Sequence, residues 1–218
     1  MELMKKKILV LGDSITEGCG LSDPSEQAFW RLLAIRDGAE VTGYGIGGTR
    51  IARQRIPSEE SKYDRYFSSR VADMDPDADI VIVFGGTNDY GHGDAPLGTM
   101  SDRTADTFYG ALHCLYQALL KKYPASLIIV LTPLHRQNEE QPVNEIGIRN
   151  VGTLSDYVDI ICEVATYYSL PVLDLYRHSG IQPNEKDLRE RYAPDGLHPN
   201  EAGHEKIYKM LRSFLTAL

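Results

Sequence analysis

Five short apolar runs, separated by longer stretches of helical periodicity, constrain this chain more than any other feature. The runs are Ile8–Leu11, Val41 with its neighbours, Ile80–Phe84, Leu127–Leu131 and Pro171–Leu175. Residues 80–84 (Ile-Val-Ile-Val-Phe) and 127–131 (Leu-Ile-Ile-Val-Leu) are continuous and β-branched rather than alternating. Such runs suit strands buried on both faces of a parallel sheet. The Val41 run is the weakest, because glycines crowd in directly after it. Between the runs lie amphipathic helices. In 103–122, Phe108, Leu112, Leu115 and Leu119 draw one apolar stripe. Residues 26–36 carry Phe29, Leu32, Leu33 and Ile35 ahead of a stop at Gly38. Residues 151–168 carry Val151, Leu154, Val158, Ile161 and Ala165, and a last helix from about Glu201 to Leu215 carries Ile207, Met210, Leu211 and Leu215. This alternation predicts an α/β fold, a three-layer sandwich around a parallel sheet with right-handed crossovers. No linker or repeat interrupts it, so one domain over 1–218 is expected.

Charge and cysteine usage narrow the function classes. Lys and Arg number 23 against 31 Asp and Glu, a net charge of −8, which argues against nucleic acid and anionic membranes as partners. Hydrophobic residues at 42% and charged residues at 25% exclude a disordered or fibrous chain. Cys19, Cys114 and Cys162 are odd in number and lack CxxC spacing, so neither a disulfide framework nor a zinc ribbon is indicated. The first apolar run is only four residues long before Gly12-Asp13, too short for a signal peptide core or a membrane span. A cytoplasmic location without membrane insertion is the expectation.

In open parallel sheets, sites form at the carboxyl ends of the strands. The segments there are Gly12–Ser14, Gly43–Thr49, Gly85–Asp89, Thr132–Arg136 and Asp174 onwards. Ser14 closes the first strand. A serine becomes a nucleophile with a base beside it, and the base needs an orienting acid. Near the other end, Asp195-Gly196-Leu197-His198-Pro199 lets the Asp195 carboxylate reach the His198 Nδ1 across a tight turn, turning Nε2 outward to a hydroxyl. Pro199 is expected to begin the following helix. Donors for an anionic tetrahedral intermediate are also available. They are the Gly48 N–H, which no side chain obstructs, the Asn88 amide and the Ser14 N–H.

These blocks resemble the SGNH hydrolases, also called the GDSL esterase/lipase family. The match comprises Gly-Asp-Ser at 12–14, the block-two glycine at Gly48, Gly-x-Asn-Asp at Gly86–Asp89 and Asp-x-x-His at 195–198, in the right order across nearly the whole chain. The resemblance implies a flavodoxin-like five-stranded sheet of order 2-1-3-4-5 and ester hydrolysis through an acyl-enzyme. Ser14 would be the nucleophile, His198 the base and Asp195 its orienter, with an oxyanion hole of Ser14, Gly48 and Asn88. It also makes Asp13 an acceptor for loop N–H groups rather than a catalytic acid. Two departures stand out: Gly43 occupies a place where many members carry Asn after the second strand, and Ile15 replaces the Leu of the family name.

Each residue also has a plainer reading. Ser14 could be a helix N-cap, His198 a surface histidine, Asn88 a turn residue and Gly48 a tight-turn glycine. Four blocks behind their expected strands outweigh these. His92, Arg50 and His135, with Arg136, are candidates for touching substrate; Asp89 joins Asp13 as a candidate supporting carboxylate. His113 and His204 read as structural, and Cys19 as a buried structural thiol near the site. Gly43–Gly48 satisfies G-x-G-x-x-G, but it follows the second strand and lacks the acid at the end of the next, so dinucleotide binding is rejected. A metal-dependent phosphoesterase would need denser histidines and carboxylates. No cofactor and no metal is called for. The expected partner is a small-molecule ester, with short acyl groups favoured over long ones and O-acetyl groups of carbohydrates as a candidate, because the loops at 85–103 and 132–150 are mostly polar. Arg50 is the basic residue placed to meet an anionic or polyhydroxylated substrate. An acyltransferase with the same triad, or an idle binding module on the same fold, are the alternatives.

Overall fold

The computed structural model describes residues 2–141, 147 and 152–218. Strand β1 (Lys7–Gly12) pairs in parallel with β2 (Glu40–Gly45) on one side and β3 (Ile80–Phe84) on the other. β4 (Leu127–Leu131) continues the sheet from β3 to β5 (Val172–Leu173), so the order is 2-1-3-4-5 throughout in parallel. This is the arrangement the resemblance implied. The helices in chain order are α1 (Ser14–Glu17), α2 (Pro24–Gln27), α3 (Phe29–Asp37), α4 (Phe67–Arg70), α5 (Thr87–His92), α6 (Phe108–Lys122), α7 (Leu154–Tyr167), α8 (Leu175–His178), α9 (Lys186–Tyr192) and α10 (Glu201–Ala217).

The continuous apolar runs are explained by two cores, one on each face. Leu9, Leu11, Val81, Val83, Ile128 and Val130 meet α6 and α7 through Leu112, Leu115, Leu119, Ile161 and Val164. Their neighbours Ile8, Val10, Ile80, Ile82, Ile129 and Leu131 meet α3 and α10 through Phe29, Leu33, Ile207, Leu211 and Leu215. Successive side chains of a strand point to opposite faces, so a strand covered on both sides is apolar at every position.

Several boundaries differ from expectation. The 26–36 helix is two pieces separated at Ala28, and Ile35 is half exposed rather than part of the buried stripe. Gly38 does close α3 in the left-handed conformation, with φ 70°. The helix expected from 103 starts at Phe108, because Thr107 caps it by accepting from the Gly110 N–H. α7 opens on a Thr153–Asp156 capping box; Val151, with positions 142–146 and 148–150 of the loop after β4, lies outside the described residues. β5 has two residues, since the Asp174 carboxylate accepts from the Arg177 N–H and starts α8 inside the apolar run. Asn200, not Pro199, is the residue that opens α10, its side chain accepting from the Gly203 N–H.

The largest departure is β2. The glycines expected to end it lie within it, where α1 and the Trp30 ring press on this edge strand. A Cβ on Gly43 would fall 2.6 Å from the Trp30 ring, and one on Gly45 only 2.2 Å from the Glu17 nitrogen. Gly43 is therefore a packing position in the strand and not a loop residue standing in for Asn. Trp30 can yield, but the backbone of α1 cannot. Gly45→Ala is expected to destabilise the protein by about 3 kcal/mol, the upper range for overpacking, or roughly 10 °C in a chain of this size. Thermal unfolding checks this, and a loss under 1 kcal/mol would refute the rigid contact.

His204 joins α10 to α3. Its Nδ1 accepts the Phe29 N–H at 3.1 Å, its ring stacks on Phe29, and among the described residues no partner meets its buried Nε2. Burial pushes its pKa down from 6.5 to about 4, the nearby His198 adding to this and Glu201 opposing it. The folded state then binds fewer protons than the unfolded between pH 4 and 6.5. The contribution is complete above about 6.5 and is lost as pH falls toward 4, about 3 kcal/mol in all. His204→Asn keeps an acceptor for Phe29 but does not titrate there. In urea unfolding, the advantage of the parent over this variant is expected to shrink by that amount between pH 7 and 4; a constant gap would show that the buried ring does not control it.

Candidate active site

Ser14 is the first residue of α1, directly after β1, and is buried with 6% of its surface exposed. The α1 turn is fixed by Asp13, whose carboxylate caps it by accepting from the Ile15 N–H at 3.0 Å. His198 reaches this point from the far end of the chain. Its Nε2 lies 3.0 Å from the Ser14 Oγ, and its Nδ1 lies 2.7 Å from the Asp195 Oδ2. The turn between Asp195 and His198 is a built one. The other carboxylate oxygen, Oδ1, accepts from the N–H groups of Leu197 and His198 at 2.9 and 2.7 Å, and Gly196 adopts φ 84°. Partial burial pushes the Asp195 pKa up, but the Leu197 N–H, the His198 ring and its N–H outweigh that and hold it below the usual carboxylate range. An ionised Asp195 fixes a proton on Nδ1. Nε2 is then the acceptor toward the hydroxyl, the arrangement in which an imidazole can take the proton of a serine.

Gly48 and Asn88 arrive on two adjacent segments that are bound to each other. The turn Ile46–Thr49 is closed by the Thr49 N–H and hydroxyl, both donating to the Ile46 carbonyl, and Glu17 accepts from the Gly47 N–H. Gly48 has φ 72°, and a Cβ there would lie 3.1 Å from the Tyr63 ring, so both backbone and space favour glycine. The Asn88 amide donates one hydrogen to the Thr49 carbonyl at 2.9 Å, which leaves its second N–H for the cavity it lines. One residue on, the buried Asp89 carboxylate accepts from the Ile51 and Ala52 N–H groups at 2.9 and 2.8 Å. Burial raises the Asp89 pKa to about 7 and that of Asp13 to about 6, against the N–H bonds and cations that favour ionisation. Both carboxylates face backbone donors, so their geometry is that of loop anchors.

Ser14, His198, Gly48, Asn88, Arg50 and His92 all line one cavity of about 530 Å³. Arg50 is buried, and its guanidinium donates to the Ser58 hydroxyl, the Tyr63 carbonyl and Asp64, with the His92 Nδ1 2.6 Å from its Nη1. It thus holds one wall together. Desolvation lowers its pKa, opposed by Asp89, Asp64 and Asp94. Cys19 is half-buried and also lines the cavity, so it is not the buried structural thiol expected. His135 and Arg136 stand apart from the cavity lining. The His135 ring is taken up by Glu139 at 2.8 Å and by Tyr176, and the buried Arg136 donates to the Thr87 carbonyl at the back of α5. His113 is buried between Tyr168 and the Met100 carbonyl.

Two parts of the site escaped sequence reading. Ser58, Lys62 and Tyr63 form a wall from a segment without periodicity; it is ordered by carboxylates such as Asp64 and Asp94, which accept from the N–H groups of Ser58, Arg55 and Ile56. Arg70 is buried behind the Gly48 turn. Its signal was present: in Phe67, Arg70, Val71 and Met74, spaced as one face of a helix, an arginine occupies an apolar position. Among the described residues, no group of three or more His, Cys, Asp or Glu side chains is placed to hold a metal ion, and no helix is long and apolar enough to cross a membrane.

Comparison with known proteins bears on the family and the fold. A model of the GDSL-like lipase/acylhydrolase family matches residues 10–206. A GDSL lipase of Mycobacterium tuberculosis is 27% identical over 211 residues, covering 92% of this chain and 77% of that protein. The crystal structure of a protein from Lactobacillus plantarum is similar with a TM-score of 0.82 at 34% identity, over 98% of each chain. An acetyl xylan esterase shares the fold, with a TM-score of 0.65 at 23% identity over 95% of this chain and 98% of its own.

Proposed function

The chain belongs to the GDSL-like lipase/acylhydrolase family, and from that premise we propose that it is a serine ester hydrolase acting on short acyl esters. The observation that carries this is the line from Ser14 Oγ to His198 Nε2 at 3.0 Å and from Nδ1 to Asp195 at 2.7 Å. In the proposed reaction, Ser14 Oγ attacks the acyl carbonyl while Nε2 takes the hydroxyl proton. The Nδ1–H stays on the ring, bonded to Asp195, which stabilises the imidazolium. The carbonyl oxygen becomes an anion and accepts from the N–H groups of Ser14 and Gly48 and from the Asn88 amide. Collapse breaks the bond to the alcohol, which leaves with the proton from Nε2. Water then attacks the acyl-enzyme, gives its proton to Nε2, and the acid departs as Ser14 recovers its hydrogen. This cycle calls on no metal or organic cofactor.

The preference for short acyl groups rests on the polar side chains set into the cavity wall. The cavity's volume of about 530 Å³ is ordinary for a ligand pocket, and its lining, mostly apolar by area, also carries the polar side chains of Arg50, Ser58, Lys62 and His92. The hydroxyls of an O-acetylated, polyhydroxylated alcohol would pair with those polar groups, which a long acyl chain would leave unmatched. The test is p-nitrophenyl acetate hydrolysis by the purified protein, with EDTA in parallel and a fluorophosphonate probe for Ser14. Turnover that survives EDTA, with a single label on Ser14, is the expected result; turnover lost in EDTA would overturn the serine mechanism. Against the octanoate ester, kcat/KM is expected to fall, and a clear preference for it would overturn the substrate class.

A further inference from the structure

We infer that Arg70 is a positioning residue for the oxyanion hole, one that sets the turn carrying Gly48 and places behind it a positive charge bonded only to neutral acceptors. The inference rests on the serine hydrolase reading above. Arg70 is the last residue of α4 and is 3% exposed, with its guanidinium over the Phe67 ring. Its Nη1 donates to the Thr49 Oγ1 at 2.9 Å; its Nη2 donates to the Gly12 carbonyl at 3.0 Å and to the Tyr44 carbonyl. Those acceptors belong to the three segments that meet at the nucleophile. Gly12 ends β1 two residues before Ser14, Tyr44 is next to last in β2, and Thr49 closes the turn that presents Gly48. The Gly12 carbonyl also accepts from the Ile46 N–H, at the other end of that turn. One planar, five-donor group therefore ties the serine strand to the oxyanion turn, which a lysine cannot do as fully.

The charge is the second half of the argument. Every acceptor of Arg70 is neutral, and among the described residues no carboxylate lies in ion-pair range of it. Desolvation lowers its pKa, aided by Arg65 and opposed by Asp13 and Glu17, but only to about 10, so the group remains a cation at neutral pH. A buried charge with no carboxylate in direct contact is costly to fold, and a backbone clamp alone could be built from neutral donors. In the proposed reaction a negative charge forms on the carbonyl oxygen each time Ser14 attacks, at the Gly48 turn that Arg70 holds through Thr49. A fixed cation behind the Gly48 turn favours that state over the uncharged ground state, and this is the condition for raising kcat rather than lowering KM.

The test compares Arg70→Met, which keeps bulk and loses charge, with Arg70→Lys, which keeps charge and loses most of the fork. Thermal unfolding of each defines the folded fraction. Per folded molecule, Arg70→Met is expected to lower kcat on p-nitrophenyl acetate about 10- to 100-fold, the scale of a small misplacement plus a lost charge, with KM within about twofold. The rate of fluorophosphonate labelling at Ser14, which passes through a pentacoordinate phosphorus whose oxygen gains negative charge toward the same donors, should also fall. Arg70→Lys should recover a substantial part of both. A kcat in Arg70→Met within twofold of the parent would overturn the inference as a whole, and equal losses in the Met and Lys variants would overturn the role of the charge, since a clamp without it loses as much in either. Should Arg70→Met not fold, Thr49→Val removes the acceptor on the turn and leaves the arginine; unchanged kcat there overturns the link to Gly48. A parent that neither turns over nor takes the label fails at the hydrolase reading itself, and the role of Arg70 falls with it, whereas a labelled parent isolates the question to Arg70.

Discussion

Replacing Ser14 with alanine is expected to lower kcat for ester hydrolysis about a million-fold, and removing His198 in addition should cost almost nothing more. Groups that act as one unit lose their whole effect when any essential member goes. Here the unit is physical: Ser14 Oγ is 3.0 Å from Nε2, and among the described residues no other imidazole pairs with that hydroxyl. Asp195 differs, because it touches no reacting atom and acts through the ring. Its carboxylate is half exposed, so water can partly replace it at Nδ1. Asp195→Asn is expected to cost about 10⁴-fold, by favouring the wrong tautomer of His198. The measurement is kcat in the three single variants and the Ser14→Ala/His198→Ala double variant, each with its unfolding temperature. Losses that multiply in the double variant would mean that Ser14 and His198 work in separate steps.

The parts of the molecule that were legible in the sequence share a physical cause. Ile80–Phe84 and Leu127–Leu131 could be assigned because burial on both faces leaves no room for polar residues, and both strands formed within those bounds. Ser14, Asp195 and His198 could be picked out because a strand end and a short Asx-type turn fix where their side chains can go. What was obscured came from contacts between segments remote in sequence. Gly43 and Gly45 resemble loop residues until Trp30 and α1 are laid against β2, where only glycine leaves space. The wall at Ser58–Tyr63 is held by side chains bonding to backbone, an order that leaves no periodic trace. His135 follows a strand end, as site residues often do, yet the carboxylate four residues on turned it away. Position in an α/β fold therefore nominates residues, but the partners recruited by each side chain decide which of them reach the cavity.

Asn88→Ala is expected to lower kcat by about 100- to 1,000-fold while leaving KM nearly unchanged, the signature of a donor used in the transition state alone. The magnitude follows from where the amide is held. Asn88 is 4% exposed on the first turn of α5, and one of its hydrogens is committed to the Thr49 carbonyl. That bond aims the other hydrogen without any rearrangement when the oxyanion forms. It also means that alanine removes two things, a donor to the anion and a tie between α5 and the turn bearing Gly48. Asn88→Asp separates them. It keeps the shape of the side chain but sets an acceptor against both the Thr49 carbonyl and the developing anion, so its kcat should be no higher than that of the alanine variant. The Asp89 bonds to Ile51 and Ala52 hold the same two segments one residue along, and the fold should therefore survive either change, with unfolding temperatures close to the parent. A loss under tenfold, or one carried by KM, would place the Asn88 amide outside the oxyanion hole. The site would then rely on the backbone donors of Ser14 and Gly48, and Thr49 would be the reason for the asparagine.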